Sequence, residues 1–319
     1  MRIYPCIIIL LTLCISSGYG LPRTITSGLY HTEQISNSIG DMAFDGECIW
    51  IATGEGISRS CDGGQNWEHY LQGKSFSALI YSSDRILSAS SFDTIVGGER
   101  YPVGEGLYIS STGDTIQFTK YTPWQMVFIS GTSFYAMLSY DLCVVPQEMD
   151  TFLYSANWYG GLARSDDFGQ NWENIFWQYP FTDDYGNTIP DSGIVQWRTI
   201  PATYDTILDF VSNNGYDDLF FAVAGDTSGD STVIYAGTAS GIFAIRDTQF
   251  IRSLPEDGLT GSWCVALAVQ YINSGESILW ASSRSAGEGG EVDGICYSTD
   301  KGITWDTLAT NITCWNFSF

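Results

Sequence analysis

The chain is poor in positive charge, poor in histidine and nearly free of long apolar runs. Its 319 residues carry 13 Lys+Arg against 36 Asp+Glu, a formal net charge of −23. A surface of that sign repels phosphate backbones, which argues against a nucleic-acid partner. His31 and His69 are the only histidines, and no Cys-x-x-Cys occurs, so a zinc site or a histidine-based triad has little material. Charged residues make up 15% of the chain, yet aromatics also reach 15% and Gly numbers 34, which excludes a disordered acidic chain. The length admits two domains, but all-β folds of this size often form one.

The one long apolar run lies at the start. Residues 1–20, MRIYPCIIILLTLCISSGYG, place Arg2 before an apolar stretch from Ile7 to Ile15, and Gly18 and Gly20 fit a signal-peptidase site. This predicts a signal peptide over 1–20 and a secreted, periplasmic or cell-surface protein. A retained anchor is the alternative. No later run is long enough to span a bilayer. Of the 8 Cys, Cys6 and Cys14 fall within that segment. Cys48, Cys61, Cys143, Cys264, Cys296 and Cys314 remain, either as disulfides in an oxidising compartment or as buried small hydrophobes. The spacing leaves every pairing open.

What is abundant is repetition. Residues 49–67 read IWIATGEGISRSCDGGQNW, 153–172 read LYSANWYGGLARSDDFGQNW, and 279–305 read LWASSRSAGEGGEVDGICYSTDKGITW. Each has a β-rich run, a Gly, a second short run and then Ser-x-Asp-x-Gly-x-(Asn/Thr)-Trp. Residues 106–118 and 234–246 are weaker copies, the first ending in Phe118 and the second lacking the Asp turn. The marker glycines Gly56, Gly106, Gly161, Gly241 and Gly294 are 50, 55, 80 and 53 residues apart. That spacing fits propeller blades of about four short strands. The wide interval holds either an insertion at about 178–203, rich in Asp, Pro and Tyr, or a sixth unit without a marker. The expected fold is an all-β propeller of about five visible four-stranded blades over 39–319. A lead-in strand over 21–38 precedes it.

The Ser-x-Asp-x-Gly-x-Thr-Trp pattern resembles the Asp-box, or BNR, repeat of β-propellers. That superfamily includes sialidases, the sortilin-type receptor domain, xyloglucanases and many exported bacterial propellers. The resemblance covers most of 40–310, and it implies a fold more than an activity. It implies structural roles for Ser60, Asp62, Gly64 and Trp67, for Ser165, Asp167, Gly169 and Trp172, and for Ser298, Asp300, Gly302 and Trp305. The Asp would accept turn N–H groups, the Gly would take a positive φ, and the Trp would pack on a neighbouring sheet. Arg59 and Arg164 occupy one place in two repeats and read as structural too.

No catalytic residue stands out. A sialidase needs an arginine triad, and the arginines here do not assemble one. The expected function is a non-catalytic, exported propeller that binds a protein or a glycan. A sialidase-type glycoside hydrolase is the alternative. Trp158, Tyr159, Trp177 and Arg198 are the candidate ligand contacts, because surface aromatics stack on sugar rings. Packing between blades is the competing role for the tryptophans. No cofactor is implied. Two acidic stretches, 183–187 and 226–230, cluster calcium-type oxygens but lack the EF-hand spacing. Finally, Cys314-Trp315-Asn316-Phe317 resembles the innermost strand of a further blade, as if more blades followed. Alternatively, five blades close directly and this strand pairs with 24–31.

Overall fold

The computed structural model describes residues 35–317, except 97, 113–114, 122–125, 130–131, 136–137, 148–149, 159–160, 175–194, 200–205, 211–218, 230, 247–248, 274 and 288. The signal segment, the lead-in to residue 34 and most of the 178–203 insertion therefore lie outside the described residues. Residues 35–38 carry no strand. All described residues belong to one compact unit, Thr32–Phe319.

Five antiparallel meanders of four strands follow one another as blades. Blade 1 is β1 (Ile39–Phe44), β2 (Ile49–Thr53), β3 (Gly56–Ser60) and β4 (Glu68–Tyr70). Blade 2 is β5 (Ser75–Ser82), β6 (Arg85–Val96), β7 (Glu99–Ser110) and β8 (Phe118–Tyr121). A hairpin, β9 (Met126–Ile129) and β10 (Thr132–Tyr135), joins it through β7. Blade 3 is β11 (Ser139–Gln147), β12 (Asp150–Asn157), β13 (Gly161–Ser165) and β14 (Glu173–Asn174). A separate hairpin, β15 (Val195–Thr199) and β16 (Thr206–Phe210), falls in the long interval before blade 4. Blade 4 is β17 (Phe220–Asp226), β18 (Val233–Thr238), β19 (Gly241–Arg246) and β20 (Gln249–Ser253). Blade 5 is β21 (Trp263–Asn273), β22 (Glu276–Arg284), β23 (Gly294–Ser298) and β24 (Asp306–Thr310).

The marker glycine has a steric cause. Each one opens or interrupts the third strand of its blade. A Cβ on Gly56 would come within 2.8 Å of Tyr70 O, and one on Gly106 within 2.8 Å of Tyr121 O. Both glycines also have positive φ, 148° and 139°. Any side chain there would push the fourth strand away.

Apolar residues on facing sheets fill the spaces between consecutive blades. Trp50, Ala52 and Ile57 meet Phe76, Leu79 and Tyr108 between blades 1 and 2. Leu87 and Leu107 meet Leu153 and Trp172 between blades 2 and 3. Tyr154 and Leu162 meet Phe220 and Phe243 between blades 3 and 4. Tyr235 and Ile242 meet Leu267, Leu279 and Trp305 between blades 4 and 5. Among the described residues no such core joins blade 5 to blade 1.

The Ser-x-Asp turns are built alike. Gly64 N–H donates to Ser60 Oγ at 2.8 Å, and Gln65 and Asn66 N–H both donate to Asp62 Oδ1 at 2.9 Å. Gly169 N–H donates to Ser165 Oγ at 2.8 Å, and Gln170 and Asn171 N–H donate to Asp167 Oδ1 at 3.0 and 2.8 Å. In blade 5, Gly302 N–H donates to Ser298 Oγ at 2.8 Å, and Ile303 and Thr304 N–H donate to Asp300 Oδ1 at 3.1 and 2.9 Å. One Asp thus satisfies donors that would otherwise face water at the blade edge. The Trp that follows packs on the preceding blade. Trp172 and Trp305 are buried in those cores, whereas Trp67, on the face of blade 1 turned away from blade 2, is half-buried.

Cys48 and Cys61 form a disulfide across the β2–β3 hairpin, while Cys143, Cys264, Cys296 and Cys314 are not joined in disulfides. Arg59 and Arg164 lie over Trp50 and Phe152, 5.2 and 5.0 Å from the ring centroids.

Candidate functional site

Every inner strand skips one residue of register at the same place. The breaks fall between Ile39 and Asp41, Phe76 and Ala78, Ser139 and Asp141, Phe220 and Ala222, and Cys264 and Ala266. The bulged residues are Gly40, Ser77, Tyr140, Phe221 and Val265. A bulge turns its side chain out of the ladder, and all five line a cavity on the axis between the blades. Its volume is about 770 Å³, within the range of small-molecule sites.

Cys314–Phe317 takes a sixth place around that cavity. Cys314 N–H donates to Ser282 Oγ of blade 5 at 2.9 Å, and Asn316 Nδ2 donates to Asp41 Oδ1 of blade 1 at 2.6 Å. Trp315 and Asn316 line the cavity beside the five inner strands. Cys-Trp-Asn-Phe aligns with Ile-Gly-Asp-Met at 39–42 and Ser-Tyr-Asp-Leu at 139–142, bulge position included. It resembles an inner strand in sequence and placement, but residues 311–317 carry no strand.

Two carboxylates face this cavity, Asp41 and Asp141. They hold equivalent positions, just after the bulge, where blades 2, 4 and 5 have Ala78, Ala222 and Ala266. Asp41 Oδ1 accepts Met42 N–H at 2.7 Å, and Oδ2 accepts Leu79 N–H of the next blade at 2.8 Å. Asp141 Oδ1 accepts Leu142 N–H at 2.8 Å, and Oδ2 accepts Val223 N–H of the next blade at 2.9 Å. Each therefore ties one inner strand to its successor. Burial pushes the Asp41 carboxyl up to about 7, against the hydrogen bonds that favour its charged form. Burial, and then the charge of Asp41, push Asp141 well above the usual carboxylate range. No Lys or Arg is among the described lining residues.

Tyr140 and Phe221, which line the cavity, belong to an aromatic cluster of blades 3 to 5 in which Trp158 and Trp263 pack against the buried Phe221, Ala239 and Val265. Trp158 and Phe221 stand edge to face with ring centroids 5.3 Å apart. Tyr140 lies 5.7 Å from Trp158 and 5.8 Å from Phe221, and Trp263 lies 6.1 Å from Phe221. Phe221 is buried, Tyr140 is exposed, and Trp158 and Trp263 are intermediate.

Of the sequence candidates, Trp158 therefore belongs to this cluster. Tyr159 and Trp177 lie outside the described residues. Arg198 falls on β15, part of the hairpin outside the five blades. Sequence reasoning missed Asp41, Asp141, Tyr140, Phe221 and Trp263. Aligning the inner strands, as well as the Asp turns, would have exposed Asp where other repeats hold Ala. Among the described residues, no group of three or more His, Cys, Asp or Glu could hold a metal ion. Asp226 instead binds Ser228 N–H and Ser277 Oγ, at 2.8 and 2.6 Å. No described helix is long and apolar enough to cross a membrane.

No family model and no curated protein matches the sequence. Solved structures do match. An ancestral GH74 enzyme superposes with a TM-score of 0.52 at 15% identity, over 86% of this chain and 34% of its own. The GH74 xyloglucanase from Xanthomonas campestris gives 0.48 at 14% identity, over 85% of this chain and 38% of its own. A gluconolactonase from the same organism gives 0.47 at 10% identity, over 88% and 80%. The chain thus spans a little over a third of the length of the two GH74 enzymes. At these identities likeness speaks to architecture alone, and the architecture it shows is the β-propeller.

Proposed function

We propose that this chain is an exported, non-catalytic propeller of the Asp-box type that binds a glycan at the mouth of its axial cavity. The observation that carries the reading is the cluster of Tyr140, Trp158, Phe221 and Trp263. It is built in part on bulged inner-strand positions that hold Gly40, Ser77 and Val265 in other blades. Aromatic faces of this kind suit the apolar face of a pyranose ring. The disulfide fits an oxidising compartment.

Two carboxylates on one cavity favour a second reading, a glycoside hydrolase. Their hydrogen bonds weigh against it, since Asp41 and Asp141 each hold one backbone N–H of their own strand and one from the next blade. A sialidase-type site is further disfavoured, because the lining residues described present carboxylates and no arginine to an anionic sugar.

A glycan array followed by calorimetric titration tests the proposal. Trp158→Ala and Tyr140→Ala should each weaken binding by about tenfold, the loss of roughly 1.4 kcal/mol of stacking. Binding indifferent to both would reject the site. Turnover of fluorogenic glycosides that disappears in Asp141→Asn would make the chain an enzyme. Capture of an apolar peptide and of no glycan would make the partner a protein, as the exposed Met42, Phe44 and Trp315 on the cavity wall would suit.

A further inference from the structure

Resting on that glycan-binding reading, we propose that the ligand is a neutral pyranose with apolar C–H on both ring faces, held between Tyr140 and Trp315 on opposite sides of the axial cavity.

The two residues occupy the same place in the repeat. Around the axis the bulge position is Gly40, Ser77, Tyr140, Phe221 and Val265 in blades 1 to 5, and Trp315 follows at the sixth place, between blades 5 and 1. Tyr140 and Trp315 are therefore three places apart in either direction, on opposite sides of the axis. Both line the cavity. Trp315 is 60% exposed and Tyr140 37%, whereas Phe221 is 7%. On the side of blades 1 and 2 the bulge positions between them hold the small Gly40 and Ser77.

The architecture does not require an indole at the sixth place. The other five bulge positions hold Gly, Ser, Tyr, Phe or Val, and packing against a neighbour does not account for a ring that stays so exposed. Apolar surface left open in this way marks a place where something binds. The mount is nevertheless firm. Cys314 N–H bonds Ser282 Oγ on one side, Asn316 Nδ2 bonds Asp41 Oδ1 on the other, and the Arg284 guanidinium lies over the indole, 5.8 Å from its centroid. Tyr140 leans on Trp158 and Phe221, with centroids 5.7 and 5.8 Å away. Aromatic rings fixed before binding lose little freedom when a ligand stacks on them.

Two opposed aromatics select the shape of the ligand. A sugar ring with every substituent equatorial turns axial C–H bonds to both sides and can be stacked twice. An axial hydroxyl, as in galactose or mannose, sets a polar group against one aromatic ring, where it loses water without gaining a partner. Charge selects as well. No described Lys or Arg lines the cavity, and a net charge of −23 repels acidic sugars. The carboxylates of Asp41 and Asp141 are already engaged by N–H donors of the fold, so the cavity needs no counter-cation.

The test is calorimetric titration of the full chain with cellotriose and N-acetylchitotriose, whose ring substituents are all equatorial, and with β-1,4-galactotriose and β-1,4-mannotriose. The equatorial trimers should bind about tenfold more tightly, the worth of one aromatic face. Trp315→Ala should weaken them by about tenfold and shrink the preference to about twofold, because one face remains, and Trp315→Phe should restore most of both. Melting curves check the variants, and Trp315→Leu serves if Trp315→Ala melts early. Equal or tighter binding of the galactose or mannose trimers would overturn the two-sided site and leave glycan binding standing. So would a preference that survives the loss of the indole. Absence of binding to these trimers and to every member of a glycan array would sink the glycan reading itself.

Discussion

Raising the pH from 4.5 to 8 should destabilise this protein, because Asp41 must lose a proton inside the fold. In the unfolded chain Asp41 ionises near its ordinary value of 3.8, whereas in the fold burial raises it to about 7. Between these values the folded state holds a proton that the unfolded state has released, so stability falls as pH rises. The difference is about three pH units at roughly 1.4 kcal/mol each, or about 4 kcal/mol. Asp141 shifts in the same direction and adds to the loss. Acid works the opposite way on the turn carboxylates. Donation from Asn66 holds Asp62 down to about 2. Burial raises Asp167 and Asp300, but the bonds from Asn171 and Thr304 outweigh it and leave both lowered. Their contribution is present above an ordinary carboxylate value and is lost as pH falls through the folded one. Stability should therefore peak near pH 4 to 5 and decline toward 8. A change of about 4 kcal/mol moves the melting temperature by on the order of 10 °C. Melts at fixed ionic strength, in the parent and in Asp41→Asn, read this out. The variant sets an amide N–H₂ against one of the N–H donors on Asp41 and should start lower by about 1–3 kcal/mol, but its decline between pH 4.5 and 8 should be markedly shallower. A parent melting temperature that is flat or rising over that interval, or a variant with an undiminished slope, would refute the reasoning.

Other outcomes follow from the packing and the covalent link. Trp172→Ala should cost about 3–5 kcal/mol in urea titrations, because the ring is buried between blades 2 and 3. Trp67→Ala, at the same repeat position but half-buried, should cost clearly less. Gly106→Ala should destabilise by more than the ordinary Gly-to-Ala change, since its Cβ would meet Tyr121 O at 2.8 Å. Thiol counting on the unfolded protein should find the Cys48–Cys61 bridge. Cys61→Ser should lower stability by about 3 kcal/mol in the loop-entropy account.

The repeat made the blades legible. A Gly that tolerates no Cβ, an Asp that collects turn N–H groups and a Trp that fills an interblade core each demand one residue type, so they recur visibly. The outer architecture could be read for that reason. The axial site could not, because its defining feature is a departure from the repeat. Asp41 and Asp141 look like ordinary polar residues in half-buried strands until the bulge places them beside Ala78, Ala222 and Ala266. Tyr140 and Phe221 likewise read as core aromatics until the register break turns them toward the axis. Trp158 was readable as a candidate because it follows a strand and precedes the marker Gly.

The disulfide sits in a blade that, among the described residues, is packed by a neighbour on one face only. Blades 2, 3 and 4 are each gripped on two faces, whereas among the described residues blade 1 shares a core only with blade 2. Its own tryptophan, Trp67, is correspondingly half-buried. Local opening is easiest where few contacts must break, and it begins at such ends. The Cys48–Cys61 bond closes the β2–β3 hairpin in that blade, so the fluctuation most exposed to proteases is limited by chain connectivity rather than by a neighbouring sheet. In a reducing environment hydrogen exchange would quicken first in blade 1, and Asp41 would lose its rigid mounting before the rest of the axial wall loosens.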